Sequence, residues 1–145
     1  MRSYLADWQF WAILAAMFAA LTAIFGKVGV EKVDPNFATL IRTVVILVFI
    51  SGLVLATRTY QPMGTIPART YLFLVLSGVA TGASWICYYT ALKLGPASRV
   101  APVDKLSVVF VAILSVLFLG ERLAPKDWFA VSLIAGGTIL LAMKR

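Results

Sequence analysis

The sequence predicts an all-α polytopic membrane protein, a bundle of five transmembrane helices, and three observations predict it. Of its 145 residues 61% are hydrophobic and only 13% charged, against about 45–50% and about 25% in a soluble domain. The apolar residues gather into five runs, most of them close to the ~20 residues that a helix needs to cross the hydrocarbon core. The charges fall mainly between those runs. Nothing outside the runs is long enough to fold separately, so residues 1–145 read as a single five-helix membrane domain.

The first expected span is 8–26, bounded by Asp7 and Lys27. Its apolar run is longer than the ~7–15 residues of a signal-peptide core and its basic flank is only Arg2, so it reads as a retained helix. The second is 37–56, interrupted by Arg42 and entered through Asp34-Pro35, an N-cap followed by a proline suited to the first helical position. The third is 71–92. The fourth, 97–119, follows Gly95-Pro96, and the fifth, 128–143, follows Lys126-Asp127. Trp8, Trp11, Tyr60, Tyr71 and Trp128 lie near span ends, where amphipathic rings favour the headgroup region. Gly78 and Gly82 in the third span, and Ser132 and Gly136 in the fifth, recur at one-turn spacing. Small residues at that spacing let helix backbones approach in lipid, so these four are expected packing positions.

Composition also excludes chemistry. There is no histidine, which removes Ser-His-Asp and Cys-His catalysis and His-ligated metals. The single cysteine, Cys87, allows no internal disulfide. No catalytic residue, metal or cofactor is expected, and no phosphate-binding loop is present. A net charge of +7 can signal nucleic acid, but these cations flank apolar runs singly and form no basic stripe. Membrane loop charges are the better reading, with lipids as partners and no nucleic acid.

Five spans put the termini on opposite faces. Arg2, Arg58, Arg69, Arg122 and Lys126 fall on the N-terminal face; Lys27, Lys32, Lys93, Arg99, Lys144 and Arg145 fall on the other, outside the bilayer. Orientation follows the Lys/Arg excess in short loops, and a bias of six against five is nearly none. The chain therefore either inserts both ways or has one orientation that charge specifies poorly.

Three charged residues remain inside the bilayer, where insertion costs at least about 2.5–3.5 kcal/mol each. If the second helix starts at Pro35, Arg42 lies about 10 Å in; if the fourth starts near Pro96, Asp104 and Lys105 lie about 12–14 Å in. The shared depth lets Arg42 pair with Asp104. That leaves Lys105 unpaired and the cleft net positive, which favours carboxylate or phosphate substrates. The alternative is that Arg42 and Lys105 snorkel to the interface. Pro102 kinks the fourth helix if it lies inside it, and is an ordinary first-turn proline if the helix starts later. Asp104, Ser107, Val111 and Ser115 fall on one face of that helix. On the third, Ser77, Thr81, Ser84 and Tyr88 do the same, with Trp85 and Tyr89 adjacent. Two weakly polar faces with aromatics would line a cleft for a small organic molecule, expected to touch Ser84, Trp85, Tyr88, Tyr89, Asp104, Lys105 and Ser107. Alternatively the Ser and Thr hydroxyls bond their own helices.

The segment 82–107, GASWICYYTALKLGPASRVAPVDKLS, and the segment 117–123, LFLGERL, followed by a Trp-led helix with Gly136-Gly137, resemble EamA-type repeats of the drug/metabolite transporter superfamily in its solitary five-helix form. The resemblance covers essentially the whole chain. It implies one half of an inverted-repeat transporter: larger relatives carry two inverted five-helix halves around a substrate path, so a lone half needs a second, antiparallel copy. It further implies a multi-pass protein of a prokaryotic inner membrane that exports small polar or amphipathic metabolites. One feature departs. The four-helix multidrug relatives use a glutamate in their first helix, and the first span here has no acid, leaving Asp104 as the intramembrane carboxylate. A non-transporting membrane subunit and a lipid flippase using the same cleft are the competing functions.

Overall fold

The computed structural model describes residues 8–143, the side chain of Met63 apart; Arg2, Asp7, Lys144 and Arg145, used in the charge count and the first boundary, lie outside the described residues. The chain forms α1 (Trp8–Val30), α2 (Pro35–Thr57), a short 3₁₀ turn (Met63–Thr65), α3 (Ala68–Leu94), α4 (Ala97–Asp104), α5 (Ser107–Leu114) with a π turn (Ser115–Leu119), and α6 (Pro125–Ala142). There is no strand among the described residues. The all-helical class expected from composition is what the chain adopts.

Four helical segments are long and apolar enough to cross a membrane: α1, α2, α3 and the stretch Ala97–Leu119 that holds α4 and α5. Helix α6 has 18 residues, about 27 Å at 1.5 Å per residue. Its first turn carries Lys126 and Asp127, so its apolar part is shorter than the ~30 Å hydrocarbon core.

Local chemistry sets the helix ends. Asp34 is extended and caps α2, accepting from the Asn36 amide at 2.9 Å and the Phe37 amide at 3.4 Å, with Pro35 at the first position. At the other end Arg58 adopts the left-handed conformation (φ 53°), and the Thr59 amide returns to the Val54 carbonyl at 3.2 Å. Gly120 (φ 68°) ends the π turn in the same conformation, which costs a glycine nothing sterically. Asp127 reaches back to the Ala124 amide at 2.9 Å, and Pro125 opens α6. These caps start α2 two residues and α6 three residues before their expected spans.

The chain divides into two compact units. In the unit of residues 25–93, the end of α1, α2 and α3 are tied at one membrane face. Lys27 Nζ donates to the Leu92 carbonyl and Lys93 Nζ to the Val33 carbonyl, at 2.5 and 3.0 Å. Leu92 lies in the last turn of α3, where the macrodipole favours positive charge, and Val33 lies in the turn between α1 and α2. Val30 and Leu92 are fully buried beside these bonds. Gly26 allows a close approach: a Cβ there would stand 3.0 Å from Tyr89 Cε1 and 3.5 Å from Leu92 Cδ1.

In the unit of residues 1–24 and 94–145, α6 packs along both α4 and α5. Its buried polar side chains bond their own helices: Thr138 donates to Ile134 O at 2.7 Å and Ser115 to Ala112 O at 3.2 Å. Elsewhere large apolar side chains such as Phe18, Phe49, Leu76 and Leu140 are exposed. In lipid such surface has nothing to escape from, so it needs no protein cover.

Candidate functional site

Two groups of polar or aromatic side chains occur within the apolar helices, one in each unit. The first begins at Arg42, half-buried seven residues into α2, about 10 Å from its start. Its guanidinium carbon lies 3.1 Å from the centroid of the Trp85 ring on α3. A planar group that close to a ring centre must lie face to face with it, because any tilted approach drives a nitrogen into the ring. The stack attracts through the ring quadrupole and is worth about 2 kcal/mol or more where water is excluded, which offsets much of the cost of placing an arginine at this depth.

Trp85 is itself held. Tyr88 and Tyr89 both meet it edge to face at 5.5 Å, as residues three and four positions on along a helix should. Tyr89 is buried and seated against Gly26. Arg42, Trp85, Tyr88 and Tyr89 therefore form one group fastened to α1. No acceptor among the described residues of this unit meets the guanidinium N–H groups.

The second group surrounds the gap between α4 and α5. Helix α4 starts at Ala97, so Pro102 lies in its interior and not in a first turn. Pro102 has no N–H to bond the Ser98 carbonyl. Beyond it the ladder tightens: the Lys105 amide bonds Pro102 O, the Leu106 amide bonds Val103 O, and the Val108 amide bonds Lys105 O, at 2.9, 3.0 and 3.0 Å. These are three-residue closures, and the regular helix resumes only at Ser107. Asp104 and Lys105 sit on that break, with Lys105 Nζ 3.6 Å from Asp104 Oδ2. Lys105 is thus not the unpaired cation expected from the sequence, because its neighbour supplies the counter-charge. Ser107 opens α5 and is exposed.

Other expected positions are placed differently. On α3 Thr81 bonds the Ser77 carbonyl at 2.8 Å, and on α6 Ser132 bonds the Trp128 carbonyl at 2.8 Å. Those hydroxyls serve their own helices. Ser84 is exposed one residue before Trp85. A Cβ added at Gly78, Gly82 or Gly136 meets no neighbour within 4 Å, so these glycines make no close helix contact among the described residues. The close approach occurs at Gly26 instead. Sequence reasoning missed Gly26, and it missed the bonds of Lys27 and Lys93; a lysine directly after each expected span end was the available signal for the latter.

Comparison with known proteins gives the arrangement a family. The description "EamA-like transporter family" matches residues 7–143. A Sinorhizobium protein named as an uncharacterized transporter in the cobO 3' region is 62% identical over 137 residues, covering 94% of this chain and 97% of its own length. An uncharacterized protein of Methanocaldococcus jannaschii is 27% identical over 131 residues, covering 90% of this chain and 93% of its own. No solved structure matches. The resemblance read from the segments 82–107 and 117–123 thus holds along nearly all of the sequence, and the chain belongs to the EamA-like transporter family.

Proposed function

We propose that the protein is a secondary transporter exporting small polar or amphipathic metabolites across a prokaryotic inner membrane, working as an inverted homodimer with the path between protomers. The observation that carries the reading is the Arg42–Trp85 stack. A scaffold helix gains nothing from a charge about 10 Å inside it, whereas a polar group at that depth beside aromatics is what a solute path requires. The interrupted helix supports the same reading. Irregular backbone at membrane depth is tolerated where protein or a water-lined cavity receives it, and transporter sites are commonly built on such breaks. Asp104 and Lys105 stand at this one. The dimer rests on the resemblance to one half of an inverted-repeat transporter and on the near-even charge that five crossings would leave on the two faces.

The test is solute flux into vesicles reconstituted with purified protein, across a metabolite panel. Trp85→Ala and Asp104→Asn should each lower flux at least tenfold while the protein still expresses and dimerises. Full flux in both variants would move the path elsewhere.

A further inference from the structure

We propose that the exposed edge of Arg42 is an oxyanion receptor, and that the solute it selects is a small organic carboxylate with a flat apolar body. The inference deepens the transporter reading above and rests on it for its biological meaning.

A guanidinium offers two kinds of surface. Its faces stack on aromatic rings, and its rim carries five N–H donors in a fixed fork. The stack on Trp85 occupies a face and leaves the rim. Within its unit no acceptor among the described residues takes those donors, and the acids of that unit, Glu31 and Asp34, belong to the α1–α2 turn. Asp34 is already engaged as the α2 cap. An arginine fixed in place, half-buried, and with its donors unspent is preorganised for two coplanar oxygens, which a carboxylate presents and a neutral amide does not.

The body of the solute is argued from the same group. Trp85 and Tyr88 are both half-buried and so still present ring surface, and Tyr89 behind them is locked against Gly26. A flat apolar group attached to the carboxylate would lie on rings that do not have to reorganise to receive it. A lipid phosphate offers a similar pair of oxygens, so the test separates the two sources.

Phenylacetate and phenylacetamide share shape and differ in charge. In neutral detergent, phenylacetate should raise the melting temperature of the purified protein and bind at least tenfold more tightly than phenylacetamide. Arg42→Gln and Arg42→Lys should both lose at least tenfold in phenylacetate binding, because lysine keeps the charge but not the fork. Lys32→Gln, an exposed cation of the same unit, should bind as the unaltered protein does. Added phosphatidylglycerol, with phosphatidylcholine as control, gives the source: displacement of phenylacetate by the anionic lipid alone supports the oxyanion site with a headgroup as its occupant, and no displacement supports the free carboxylate. Equal binding of acid and amide overturns the proposal, and that comparison needs no variant to fold. Undiminished binding in Arg42→Lys overturns it as well. Flux measured separately keeps the two readings apart: Arg42-dependent binding without flux sinks transport and leaves the receptor, whereas flux that ignores the acid–amide difference sinks the receptor and leaves transport.

Discussion

Gly26 and Gly82 are both membrane-helix glycines, yet their surroundings oppose each other. At Gly26 an added methyl group would sit 3.0 Å from the Tyr89 ring, which is buried and braced by Trp85. The ring has little room to yield, and overpacking of this kind typically costs about 1–3 kcal/mol. Gly26→Ala should therefore lower the melting temperature of the purified protein and disturb the Arg42–Trp85 stack. Gly82→Ala meets no neighbour within 4 Å and should leave the isolated chain's stability unchanged or slightly raised, since alanine is the better helix former by about 1 kcal/mol. Should Gly82→Ala reduce dimer formation while leaving the melting temperature intact, Gly82 packs against a second copy, which is where its small-residue spacing would then act. The spacing rule drew attention to Gly78 and Gly82 because two glycines repeat at four-residue spacing; Gly26 has Thr22 rather than a second glycine at that spacing and was passed over. Arg42 and Trp85 were each conspicuous in the sequence. Their contact was not, because periodicity tells which residues share a face of one helix and not how that face is turned toward the next.

At the level of elements the informative one is the interrupted helix of α4 and α5. The apolar run from 97 to 119 reads as a single span, and whether Pro102 breaks it depends on where the helix begins. Pro96 is extended and α4 starts directly after it, which puts Pro102 in the interior, where a proline costs about 3 kcal/mol relative to alanine. Pro102→Ala should restore a donor to the Ser98 carbonyl, raise the melting temperature, and protect the amides of residues 102–106 from hydrogen exchange. If the break serves solute passage, the same change should lower flux. A stabilised variant with full flux would make the break incidental. The start of α2 was legible to within two residues, because a cap such as Asp34-Pro35 is local and local chemistry is written in adjacent residues, whereas α1 runs four residues past its expected end. The break depends on a hydrogen-bond register set at Pro96, six residues upstream of Pro102, so it is not written in the residues next to the break.

For the whole molecule, the decisive quantity is the small difference in cations that five crossings would leave between its two faces. Positive residues in short loops set orientation, so a nearly even chain should sit close to the tipping point and respond to one or two added charges. Single cysteines at Lys32 and Gly64, in opposite loops of a chain otherwise lacking Cys87, should each label from both sides of the membrane; labelling of each from one side only would end the inverted-dimer reading. Adding cations to one loop gives a stronger test. Gln61→Lys with Thr65→Lys loads the loop between α2 and α3, while Lys32→Gln with Lys93→Gln unloads the opposite face. Lys93 also caps the Val33 carbonyl, so Lys32→Gln with Arg99→Gln is the cleaner choice. The two added lysines should hold their loop in the cytoplasm. Orienting every copy alike should abolish flux, because no antiparallel partner remains. Co-expression with a variant biased the other way, in which Arg58 and Arg69 are replaced by glutamine, should restore flux. Rescue requires one copy of each orientation in the same dimer. A uniformly oriented population that retains full flux would instead place a complete path within parallel copies or a single chain.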